Sequence, residues 1–167
     1  MVTKDEMQQR RTSQLSSPNS SKYSSFRVSD AEMRPFSQKR FELNTRIRDH
    51  VKAFQEKNGN ISRNLAGEMI CEKCQQSWDS YKKAISGTMP VSRPMLYKFC
   101  IGLELDRASA DALFALSKEG PLQPDDRDDD YIFVCALRDH DSIFIFIDEI
   151  QKYCGQNISM RERKETI

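Results

Sequence analysis

From Phe41 onward the apolar residues recur at three- and four-residue spacing, and the run is cut repeatedly by residues that stop one helix and cap the next. Phe41, Ile47, Val51 and Phe54 approximate one helical face, with Leu43 on a nearby one. Asn58-Gly59-Asn60 supplies a stop, with glycine at the C′ position. Ser62 is placed to cap a second helix with Leu65, Met69 and Ile70 as its apolar face, and Ser77 a third, running through Tyr81, Ala84 and Ile85 to Gly87. A proline-containing connector, Met89 to Pro94, leads into MLYKFCIGLEL, whose Met95, Leu96, Phe99, Cys100 and Leu103 make an amphipathic helix. Asp106 to Lys118 gives another, ended by Glu119-Gly120-Pro121.

The remainder is harder to place. Asp-Asp-Arg-Asp-Asp-Asp after Pro124 reads as a solvated helix N-terminus, where carboxylates favour the dipole. Its adjacent carboxylates splay apart on a helix and lack the spacing of a calcium loop. Tyr131 to Leu137 is strongly apolar, and Ser142 opens IFIFIDEIQKY. Ile143 to Ile147 alone suits a buried strand as well as a helix, but no second strand is present to pair with it, so a helix is expected. Phe144, Phe146 and Tyr153 are candidates for a partner surface, with core the expectation for the two phenylalanines. The fold class is therefore all-α: a bundle of about five helices over residues 39–120 followed by a helical pair over 121–158. Residues 1–38 are serine-rich and without apolar period, which predicts a disordered basic arm, and 159–167 a flexible tail. Arg10-Arg11 and Lys22 in that arm are either phosphate contacts or solvated charges.

At 167 residues the chain has room for one ordinary domain and a tail. Its net charge of +1 hides a partition. The formal charge is +4 over residues 1–40, +4 over 41–100 and −7 over 101–167. Such lopsidedness can orient a protein on a polyanion, and it equally allows the two ends to attract each other. No run has the apolar length of a membrane span or a signal core, so a cytoplasmic protein without a membrane partner is expected.

The stretch CEKCQQSWDSYKKAISG, Cys71 to Gly87, admits three readings. A zinc site needs four ligands, and His50 and His140 are isolated while Cys100, Cys135 and Cys154 sit on apolar faces. A redox pair wants a preceding strand and an exposed helix N-terminus, whereas these cysteines fall mid-to-late in a predicted helix. The third reading is a helix-turn-helix. Cys71 and Cys74 then pack inward as small hydrophobes, Gln75-Gln76 makes the turn, and Tyr81 and Ala84 take the inward positions of the second helix. It accounts for most residues, with buried thiols, no metal and no cofactor. No phosphate loop or paired nucleophile and base argues for an enzyme.

At this point the chain resembles the XRE/Cro-type repressor family. Ser86-Gly87 at the end of the second helix, Pro90 or Pro94 after it, and MLYKFCIGLELD as the next helix occupy comparable places. The turn differs, carrying Gln75-Gln76 where the family has glycine followed by an apolar residue, and the connector Asn58–Asn64 is longer. From about Ser77 to Ile158 the pattern is similar to a bacterial XRE-like module with an accessory C-terminal helical pair. SRPMLYKFCIGLELDRASADALFAL and DDDYIFVCALRDHDSIFIFIDEIQKY carry that likeness.

The resemblance implies a transcriptional regulator that binds double-stranded DNA as a homodimer, inserting helix 77–87 into the major groove. Its contact residues would be Gln76, Ser77 and Ser80 toward base edges, Trp78 on the outward face, and Lys82, Lys83, Arg63 and Arg93 toward phosphates. Asp79 opposes that use unless it accepts from a cytosine amino group. Trp78 is alternatively a partly buried cap, and Lys82-Lys83 an ordinary solvated face. A different class of function also fits: a non-catalytic interaction module, adaptor or inhibitor that keeps the scaffold and binds a protein through its acidic, aromatic C-terminal helices.

Overall fold

The computed structural model describes residues 30–160, with side chains from residue 38. Arg10, Arg11, Lys22 and the last residues of the expected tail lie outside the described residues. The described part is all-α: seven helices and no strand. They are α1 (Asp30–Lys57), α2 (Arg63–Cys74), α3 (Trp78–Ser86), α4 (Arg93–Gly102), α5 (Arg107–Ala115), α6 (Asp128–Asp139) and α7 (Ile143–Cys154). From Phe36 on, the chain is one unit, so the boundary expected at residue 120 falls inside it. The first helix already begins at Asp30, within the segment expected to be a disordered arm.

Local chemistry sets the helix ends. Ser62, Ser77, Ser92, Asp106 and Ser142 each accept a hydrogen bond from the backbone N–H three residues ahead, satisfying one of the donors a helix start leaves open. Gly87 and Gly155 end α3 and α7 in the left-handed region. The ambiguous Ile143–Ile147 segment is helical: Ile143, Phe146 and Ile150 are buried at helical spacing and Ile147 is half-buried between them.

Helix α4 is the axis of the molecule. Tyr97, Lys98, Phe99, Cys100 and Ile101 are buried in succession, which a helix permits only when neighbours surround it. Those neighbours are α2, α5, α6 and α7. Tyr97, Phe114, Phe133 and Phe146, contributed by α4 to α7, form the aromatic centre, with ring centroids 4.8–6.1 Å apart.

Several positions differ from expectation. Phe41, Leu65 and Phe144 were placed on inward faces, yet they are 71%, 44% and 60% exposed. In α1 the buried line is Leu43, Ile47 and Val51; in α2 it is Ala66, Ile70, Cys71 and Cys74. In α1 only Phe41 departs from the expected face, whereas in α2 the face is rotated by about one residue, which composition alone does not resolve.

The aspartate run is likewise not simply solvated. Asp130 is fully buried, and its carboxylate receives Arg93 Nη2 at 2.6 Å, Arg93 Nε at 3.0 Å, the Gln123 backbone N–H at 2.9 Å and the Tyr97 hydroxyl. Burial pushes this carboxyl up, but those donors outweigh it and hold the group below the usual carboxylate range. The Arg93–Asp130 pair thus ties the start of α4 to α6 across the expected domain boundary.

Candidate nucleic-acid interface

Helices α2 and α3 are joined by three residues, Gln75, Gln76 and the cap Ser77. Gln75 adopts φ 50° and ψ 50°, the left-handed conformation, and its N–H bonds back to α2. Gln76 N–H donates to Cys71 C=O at 2.9 Å, completing a Schellman-like stop. This is the place where glycine was expected from the resemblance, and a glutamine holds the same backbone form. Beneath the turn Cys71 and Cys74 are buried. Burial pushes their thiols up to about 11 and about 12, the opposite of a redox pair. Gly102 of α4 runs against this corner so closely that a Cβ there would lie 2.8 Å from Lys73 C=O and 2.9 Å from Cys74 Cα.

The eight expected contact residues separate into groups. Ser77 is a structural cap: its Oγ accepts from Ser80 N–H at 3.2 Å and donates to Ser80 Oγ at 2.9 Å. Gln76 and Ser80 are half-buried on the flank of α3 that lines a cleft of about 420 Å³. Trp78 stacks on Tyr81 with ring centroids 5.5 Å apart and covers Gly67 of α2, where a Cβ would strike the indole. It remains 38% exposed, so it both caps α2 and shows an edge to solvent. Lys82 and Lys83 are exposed on the outer face of α3, and Lys83 Nζ meets Asp79 at 2.9 Å. Arg63 is exposed at the start of α2.

Arg93 does not belong with them. Its side chain is 3% exposed, and its guanidinium is spent on Asp130, Tyr97, Gly120 C=O and Pro121 C=O. A phosphate contact would require breaking a buried ion pair, so Arg93 is a core strut and the expectation is corrected.

One side of the site was not anticipated. Helix α1 presents Arg40, Asn44 and Arg48 at four-residue spacing, along one face, to the C-terminal end of α3. Arg40 Nη2 donates to Gly87 C=O at 3.1 Å and Arg48 Nε to Ile85 C=O at 2.8 Å. Asn44 Nδ2, buried, donates to Ala84 C=O at 2.5 Å and to Ile85 C=O at 3.1 Å. These side chains satisfy carbonyls that the helix end leaves open, and the charge of the two arginines suits the negative end of its dipole. The signal in the sequence was the four-residue spacing itself, with a polar Asn44 beside the apolar Leu43 and Ile47. Beside it, Arg48, Lys52 and Arg63 line a groove of about 310 Å³, accompanied by Asp49.

Among the described residues no helix is long and apolar enough to cross a membrane. Comparison with protein-family models, with curated proteins and with solved structures finds no match.

Proposed function

We propose that this protein is a helix-turn-helix DNA-binding regulator of XRE-like type, with α3 as the helix that enters the major groove. The observation that carries the proposal is the setting of α3: a short helix, capped at both ends and gripped by α1, whose Lys82 and Lys83 are exposed and whose Ile85 borders the groove lined by Arg48, Lys52 and Arg63. Arg48, Lys52 and Arg63 extend that positive edge toward a phosphate backbone. Gln76, Ser80 and the exposed edge of Trp78 are the groups for base contact, while Ser77 serves by holding the helix start. Dimerisation would pair two such units on half-sites, and the protein would work in the cytoplasm without catalysis.

A second class of function has its own observation. Tyr131, Phe144, Ile145 and Tyr153 on α6 and α7 are exposed among aspartates, as a protein-docking surface would be. Salt separates the two. Fluorescence anisotropy of the full chain with a labelled random duplex, at about 50 and 200 mM salt, should show binding that weakens by orders of magnitude if several phosphates are engaged. Absence of binding at the lower salt contradicts the DNA proposal and favours the docking module.

A further inference from the structure

The C-terminal segment after α7 returns to the α2–α3 corner, where a buried cation fastens it. Gly155 turns the chain out of α7, and Ile158 is inserted in the core with 8% exposure. Lys98 of α4, only 4% exposed, donates from Nζ to Ile158 C=O at 2.8 Å and to Gln75 C=O at 2.9 Å. Its ammonium is therefore held by two carbonyls, with no carboxylate within ion-pair distance among the described residues, and the strap and the turn before α3 share one fastening point.

Strap and helix face each other across the 420 Å³ cleft, whose polar lining includes Gln76, Ser80, Lys83, Lys98 and Asn157. Among the described residues no carboxylate lines it. Asp79, which meets Lys83 at 2.9 Å, does so as an exposed pair, weak enough for a phosphate to displace. Asn157 accepts from Ser159 N–H at 3.1 Å and from the Ser159 hydroxyl through its carbonyl oxygen, which leaves its amino group as a donor. The cleft thus gathers one exposed cation, Lys83, one buried lysine, Lys98, whose charged form burial disfavours and two carbonyls support, and several neutral donors, a composition suited to an anion whose oxygens accept.

We propose that this cleft is a phosphate-binding subsite alongside α3, with the C-terminal strap as one of its walls and Asn157 as a contact residue. The inference rests on the DNA-binding function proposed above for the identity of the phosphate, and extends it to residues outside the helix-turn-helix. The DNA backbone is the expected source; free inorganic phosphate has the same chemistry.

The test compares the full-length protein with Asn157→Ala and Lys98→Met by anisotropy on a random duplex over a range of salt. Asn157 is exposed and bonds through its carbonyl oxygen to Ser159, so its truncation removes no core contact and only local bonds of the strap; Lys98→Met loosens the strap as well as removing a charge. Asn157→Ala should weaken binding roughly two- to tenfold on every sequence. Lys98→Met should also reduce the slope of log K against log salt by about one unit. If the unmodified protein binds DNA and Asn157→Ala matches it in affinity and slope, the subsite is refuted while the DNA-binding function stands. If the unmodified protein does not bind DNA, that function falls, and thermal melting in sodium phosphate against sodium chloride of equal ionic strength decides the cleft. A higher melting temperature in phosphate that Lys98→Met abolishes supports a free-phosphate site; no difference overturns the site too.

Discussion

At the scale of single residues, two positions carry more than their types announce. Asp130 and Arg93 are an ion pair without solvent, completed by Tyr97 and the Gln123 backbone. Replacing Asp130 with Asn leaves the buried guanidinium with only the exposed Glu119 carboxylate, 3.8 Å away, and should destabilise the protein by about 3–5 kcal/mol in urea unfolding. The same carboxylate predicts acid sensitivity. Its folded pKa lies below the unfolded value, so its stabilisation is complete above about pH 4 and is lost as pH falls through the folded value. Melting temperature should drop on acidification in the unmodified protein, and less steeply in Asp130→Asn. Gln75 is the second position. A non-glycine residue at φ 50° is strained relative to glycine, so Gln75→Gly should stabilise the fold by up to about 1 kcal/mol; a loss of stability would mean that the Gln75 side chain holds more than its bond to Glu72 C=O. The buried thiols of Cys71 and Cys74 were legible because both the spacing and the missing partner ligands pointed inward. The role of Arg93 was not, because its partner lies 37 residues away and looks, in sequence, like one member of a solvated acidic run.

At the scale of elements, caps were the most readable feature. Ser62, Ser77, Asp106 and Ser142 stand where local hydrogen bonding to the next turn demands them, and that requirement is visible within four residues. Helix faces were less readable in α1 and α2, since an apolar residue at a boundary position can point either way and tertiary neighbours decide. The grip of α1 on the end of α3 left only the four-residue spacing of Arg40, Asn44 and Arg48 as its trace in the sequence, and the partner could not be read from it because the bonds span 37 to 47 residues. Packing at the α2–α4 crossing offers a sharp check. Because the atoms facing Gly102 include backbone, Gly102→Ala should force the helices apart and cost about 1–3 kcal/mol, measured as a shifted denaturant midpoint at unchanged slope. An unshifted midpoint would mean the crossing is looser than the distances indicate.

At the scale of the whole molecule, the partition of charge meets a chain that folds as one unit from Phe36 onward. The acidic helices α6 and α7 are not a separate appendage: Asp130 anchors α6 to α4, and the segment after α7 reaches Lys98. The all-α class followed from the helical period, while the ties across residue 120 were not legible because they are long-range. What sequence and structure together leave to experiment is whether the cationic face of α3 meets DNA. The most direct measurement is the salt dependence of binding to random duplex DNA for the full-length protein and its Lys82→Ala/Lys83→Ala variant. The proposal predicts weaker binding on all sequences and a slope shallower by about two units, one for each lost phosphate contact. Equal slopes for the two proteins would remove the outer face of α3 from the interface and contradict the assignment of α3 as the groove-entering helix.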